Sequence, residues 1–108
     1  MIKVTVYRNS IHISGHAGYA SPGKDIVCAA VSILTQNLIQ SIQDLTEDDM
    51  KYELCGGDTE IRYQNASERS RVLIDSFCIG IAMIADTYPK YVQMIDLKQN
   101  IYSGGCTE

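Results

Sequence analysis

At 108 residues, with 45% hydrophobic and 20% charged residues, the chain suffices for one packed domain and leaves little room for a second; wholesale disorder is excluded. A net charge of −4 lacks the basic excess of a nucleic-acid-binding surface and suits a basic peptide partner instead. The four cysteines, Cys28, Cys55, Cys78 and Cys106, lie far apart and form no CxxC pair, so neither a zinc site nor any other metal is expected.

The N-terminus alternates like a strand and has no charged segment ahead of an apolar run, so no signal peptide is expected. No apolar run reaches the length of a membrane span. The expected setting is therefore the cytoplasm, with reduced thiols and no membrane partner.

Ile2, Val4 and Val6 alternate with Lys3, Thr5 and Tyr7 in a half-buried strand. Arg8-Asn9-Ser10 supplies a turn, and Ile11 and Ile13 alternate with His12 and Ser14 in a second strand, antiparallel to the first. From Gly15 to Lys24, glycines, a serine and a proline interrupt regular structure. Asp25 then stands as a helix N-cap, and Val27, Val31, Leu34, Leu38, Ile42 and Leu45 follow as one apolar stripe.

Thr46-Glu47-Asp48-Asp49 reads as a solvated acidic connection. Met50 to Cys55 and Thr59 to Gln64 are strands joined through Gly56-Gly57-Asp58, a hairpin signal because glycine tolerates positive φ. Ser67 caps a second helix whose run from Val72 to Ala85 is apolar nearly all round, which predicts burial on several sides or against a second subunit. Pro89 ends it, Tyr91 to Leu97 forms a last strand, and the residues from Ser103 onward form a loose tail. The order ββαββαβ defines an α+β domain over residues 1–108, a mostly antiparallel sheet carrying two packed helices.

The segment from His16 to Cys28 carries the chemistry. With Asp25 as N-cap, Cys28 is the third helical residue, where unsatisfied N–H groups and the helix dipole favour thiolate over thiol. His16, at a strand end, can serve the sulfur as base and later protonate a leaving amine. The first-turn N–H groups offer an oxyanion hole, and Asp25 can orient the imidazole as well as cap the helix. Gly18, Ser21, Pro22 and Gly23 make a loop able to open for substrate and close over it; Tyr19 within it can line a groove, and Lys24 can help hold the thiolate.

The other candidates have plainer readings. Cys55 and Cys78 read as inert core, Cys106 as a passenger in the tail, and His12 as a solvated strand residue. The remaining tyrosines read as packing.

Ser14-Gly15-His16-Ala17-Gly18-Tyr19-Ala20 and Gly23-Lys24-Asp25-Ile26-Val27-Cys28-Ala29-Ala30-Val31-Ser32 resemble the signature of the ribosomal-processing cysteine protease (Prp) family. The resemblance implies a bacterial cytoplasmic endopeptidase that works as a homodimer without a cofactor. It removes the N-terminal extension of a large-subunit ribosomal protein, the twenty-seventh, after an aromatic residue. By the same resemblance, Cys28 and His16 are the catalytic residues, Asp25 supports them, and Gly15, Gly18 and Gly23 belong to the substrate-admitting loop. Two other classes compete: a ribosome-associated adaptor that binds a peptide without cutting it, and a thiol redox sensor using Cys28. The sensor needs a second cysteine whose Cα lies within about 7 Å.

Overall fold

The computed structural model describes residues 1–21 and 23–100. Pro22 of the glycine-rich loop, and the tail with Tyr102 and Cys106, lie outside the described residues.

The elements are β1 (Ile2–Tyr7), β2 (Ser10–Ser14), α1 (Ile26–Leu45), β3 (Met50–Cys55), β4 (Asp58–Tyr63), α2 (Glu68–Thr87) and β5 (Val92–Leu97). They form a five-stranded sheet of order β3-β4-β2-β1-β5 with two helices, the expected α+β fold. The β1–β2, β2–β4 and β3–β4 pairs are antiparallel. β5 returns beside β1 in parallel, with Ile2 opposite Val92 and Val4 opposite Met94, because α2 carries the chain back across the sheet before β5 begins.

Strand residues of one parity meet the helices. Ile2, Val4, Val6, Ile11, Ile13, Ile61, Tyr63 and Val92 join Val27, Val31, Leu38, Ile42, Ile74, Phe77 and Ile81 in one buried cluster. The opposite parity, including Lys3, Thr5, Tyr7 and His12, is exposed or half-buried apart from Ser10, so both helices cover a single face. Within the helical layer α1 and α2 approach closely at Gly80, where an added Cβ would lie 2.9 Å from Leu34 Cδ1.

Four expectations need correction. Ser10 belongs to β2 and is buried, since pairing opposite Arg62 on β4 extends the strand and leaves Arg8-Asn9 as the turn. Within the subunit α2 is buried along one stripe, not on several sides in the domain centre: Val72, Ile79 and Met83 are exposed on its outer face, where the second-subunit alternative would place them. Cys55 is exposed, because it pairs with Asp58, itself opposite Ser14, and so lies on the sheet face that the helices leave uncovered, whereas Cys78 is buried as expected.

The fourth concerns α1, whose 20 residues are apolar enough to cross a membrane by length and composition, with a window of mean hydropathy 1.3. Here it lays Val27, Val31, Thr35, Leu38, Ile39 and Ile42 onto the sheet as a core helix.

The acidic connection also does more than face solvent. Asp48 accepts hydrogen bonds from Ser67 N–H (2.8 Å), Ser67 Oγ (2.7 Å) and Ser70 Oγ (2.5 Å), while its own N–H donates to Thr46 Oγ1. One carboxylate thus ties the end of α1 to the start of α2, which satisfies donors that the helix N-terminus leaves unpaired.

Candidate functional site

α1 starts where the sequence places its start. Asp25 is extended (φ −86°, ψ 98°), and its Oδ1 accepts the backbone N–H groups of Val27 (3.0 Å) and Cys28 (2.9 Å). The Asp25 carbonyl takes the Ala29 N–H at 3.1 Å. Of the first-turn donors expected to form an oxyanion hole, those of Val27, Cys28 and Ala29 are therefore occupied by the capping residue itself.

The second oxygen of Asp25 faces the loop, where Oδ2 accepts Tyr19 N–H (2.9 Å) and Ala20 N–H (3.3 Å). Four backbone donors thus use both oxygens, and the carboxylate makes no hydrogen bond to His16 among the described residues. These bonds hold the Asp25 pKa below its ordinary 3.8, the Cys28 N–H contributing most. Partial desolvation opposes this, and the Tyr19 and Ala20 N–H groups and the Cys28 side chain add to it.

The loop begins at Gly15, whose positive φ (94°) glycine tolerates and where a Cβ would collide with the Met1 carbonyl oxygen. Gly15 N–H donates to the Gly57 carbonyl at 2.8 Å, so the β3–β4 turn is tied to the residue just before His16. Further on the chain turns at Gly18 and Gly23. Ala17 is buried, and its N–H points at Cys28 Sγ from 3.3 Å, which stabilises negative charge on the sulfur. Lys24 is exposed, its N–H on the Ser21 carbonyl.

His16 and Cys28 line one cavity of about 180 Å³. His16 is exposed and Cys28 half-buried, so the pair sits at the mouth with the thiol on the inner side. No hydrogen bond joins the two side chains among the described residues; in ligand-free sites such bonds are often long and tighten around substrate. Ile2, Ile13, Val31 and Leu54 supply apolar wall, and Gly15, Ser32, Gly57 and Asp58 also border the space.

Tyr19 stands elsewhere. Its ring packs edge-on against Tyr88 (centroids 5.5 Å apart) and Tyr91 (5.2 Å), beyond the end of α2, and it does not border the cavity. The residues of β3 and β4 at the cavity rim are absent from the local sequence motif. They arrive through β2–β4 pairing, Ser14 opposite Asp58, a long-range register that no nearby residue signals. Of the cysteines other than Cys28, Cys55 and Cys78 are free, and burial raises the Cys78 thiol pKa.

A half-buried cysteine in the first turn of a helix, with a histidine across a shared cavity, defines a candidate thiol-hydrolase site on an α+β scaffold. The family model of the cysteine protease Prp matches residues 1–93, and the chain belongs to that family. The ribosomal processing cysteine protease Prp of Mycoplasma pneumoniae is 59% identical over 32 residues, 30% of this chain and 32% of that protein. The match thus spans about a third of the curated relative.

Among solved structures, the Staphylococcus aureus ribosomal processing protease Prp with a covalently linked product peptide superposes with a TM-score of 0.86. It is 21% identical and covers 89% of this chain and 99% of its own. The Streptococcus mutans protein SMU.848 gives a TM-score of 0.79 at 31% identity, over 92% of this chain and 96% of its own.

Proposed function

We propose that this chain is a cysteine endopeptidase that removes the N-terminal extension of a large-subunit ribosomal protein, the twenty-seventh, with Cys28 as nucleophile and His16 as base. One observation carries the reading: Cys28 and His16 border the same cavity, with the Ala17 N–H aimed at the sulfur. The S. aureus relative, solved with a covalently linked product peptide, supports peptide chemistry in this fold.

The thiol proton passes to His16 as sulfur attacks the scissile carbonyl carbon and the C–S bond forms. Collapse of the tetrahedral intermediate breaks the C–N bond, and His16 returns the proton to the leaving amine. Water, deprotonated by His16, then hydrolyses the thioester, releasing the carboxylate product and the free thiol. Asp25 supports these steps by fixing the start of α1 and the loop together. The apolar wall of Ile2, Ile13, Val31 and Leu54 suits an aromatic residue ahead of the cut bond, and the net charge of −4 suits a basic ribosomal protein.

The same reading places the enzyme in the cytoplasm as a homodimer. Ile33 on α1 and Val72, Ile79 and Met83 on α2 are the exposed apolar residues that a second copy would cover.

A chloromethyl ketone built on a short peptide with a C-terminal phenylalanine tests the nucleophile, because sulfur displaces chloride and leaves a stable thioether. The expected result is one adduct on Cys28, formed far faster than on exposed Cys55 and slowed in His16→Ala. Equal labelling of Cys28 and Cys55 would contradict the proposal.

A further inference from the structure

His16 needs something to orient its imidazole, and the carboxylate beside Cys28 does not supply it, since both Asp25 oxygens hold backbone N–H groups. The ring meets the β3–β4 turn instead. A Cβ built on Gly57 would lie 2.7 Å from His16 Nε2, 3.2 Å from Cε1 and 3.4 Å from Cδ2. The imidazole edge therefore rests on a backbone without a side chain, and the position of that turn sets the position of Nε2.

The turn has little else to hold it. β3 is the edge strand and is exposed along nearly its whole length. Besides the strand pairing, two hydrogen bonds among the described residues fasten the turn to β2 and the loop: the Gly57 carbonyl on Gly15 N–H, and Asp58 on His12. His12 Nε2 lies 2.6 Å from Asp58 Oδ1, a close hydrogen bond between side chains. A carboxylate only accepts, so Nε2 carries the proton there. His12 pairs across the sheet with Glu60, whose carboxylate lies 3.1 Å from Arg62 Nε.

We propose that the His12–Asp58 pair is a positioning device for the reaction. It clamps the β3–β4 turn against the His16 imidazole from the sheet face opposite the helices. The inference rests on the reading of His16 as base; Asp58 borders the cavity, but its Oδ1 is engaged by His12, and the pair acts through the turn. A polar pair exposed at both ends (38% and 61%) stabilises a fold little, so losing this one acts on geometry more than on stability. A displacement of the base by about 1 Å is enough to slow a reaction by roughly 100-fold.

The test uses the full chain carrying Asp58→Ala, His12→Leu, both together, or Asp58→Asn, which keeps an oxygen for the His12 N–H. Cleavage of the ribosomal-protein N-terminal peptide gives kcat and KM separately, and proton–carbon NMR reports the His16 ring directly. Asp58→Ala and His12→Leu are each expected to lower kcat roughly 10- to 100-fold with KM little changed. Both should shift the His16 ring signals, the double variant should be no worse than either, and Asp58→Asn should recover most of the loss.

Gly57→Ala, which sets a methyl against the ring and strains the turn at a positive φ, should shift the same signals. Wild-type His16 signals and wild-type kcat in Asp58→Ala would overturn the clamp, as would an Asp58→Asn variant as impaired as Asp58→Ala. If the wild type cuts no peptide, the protease reading fails while the NMR arm still decides the clamp.

Discussion

Asp25 holds Cys28 by its backbone: Oδ1 accepts the Cys28 N–H at 2.9 Å while Oδ2 holds the loop at Tyr19 and Ala20. One carboxylate therefore joins the helix that carries the thiol to the segment that follows His16. Replacing it by alanine should free both at once. Asp25→Ala is expected to lower Tm by several degrees, the scale of losing one helix cap. It should lower peptide cleavage by much more than this small stability loss explains. Asp25→Asn keeps Oδ1 for the helix and loses an acceptor for the loop, so its stability should stay nearer wild type than its activity. Thermal melts beside kinetics separate the two.

Acid should weaken the same device. The pKa of Asp25 is depressed, chiefly by the Cys28 N–H, and that of Asp48 chiefly by the Ser70 hydroxyl. Their folded values lie below the unfolded one of about 3.9, so the unfolded chain binds more protons as pH falls. Their contribution is thus present above about pH 4 and lost as pH drops through the folded values. Melting temperatures across pH 2 to 6 should fall on the acid side, and Asp48→Asn should flatten part of that slope.

Removing either member of the cysteine–histidine pair should abolish turnover and spare the fold. Cys28→Ala is expected to lower kcat by at least roughly 10³-fold and His16→Ala by roughly 10²- to 10⁴-fold. His16 is exposed and Cys28 half-buried, so neither substitution opens a core cavity, and circular dichroism melts should stay within a few degrees of wild type.

Tyr88 and Tyr91, just beyond the end of α2, receive Tyr19 of the loop. Tyr19 meets Tyr88 and Tyr91 edge to face at about 5 Å, a geometry that stabilises by about 0.5–1.5 kcal/mol beyond area burial. Tyr91→Ala should raise amide exchange across Ala17 to Ser21 while leaving α2 protected, as hydrogen exchange with mass spectrometry would show. Unchanged exchange in the loop would mean that Asp25 alone holds it.

In the core, Ile81 is fully buried among α2, α1 and the sheet. Ile81→Ala should cost about 2–5 kcal/mol in urea unfolding, which sets the scale for the smaller losses above.

Much of this was legible in the chain because the signals are local. The Asp25 cap, the stripe from Val27 to Ile42 and the Gly56-Gly57 turn each declare themselves within a few residues, and the elements stand where those residues put them. His16 and Cys28 were marked by their place at a strand end and in a first helical turn. What could not be read locally is what approaches from afar. The exposure of Cys55 follows from the β3–β4 register, which puts it on the uncovered face of the sheet, and the His12–Asp58 pair from β2–β4 register. Tyr19 lies on Tyr88 and Tyr91 because β5 runs beside β1. The occupied first-turn N–H groups show a different limit: the cap was legible, while how many donors its two oxygens take depends on the path of the loop.

Whether Cys28 cuts a peptide bond with His16 as its base is read by mass spectrometry of the ribosomal protein's N-terminal peptide after incubation with wild type, and in parallel with Cys28→Ala. One cut after an aromatic residue with wild type, and an intact peptide with the variant, is the expected result. An intact peptide with both, or the same cut with both, would contradict it.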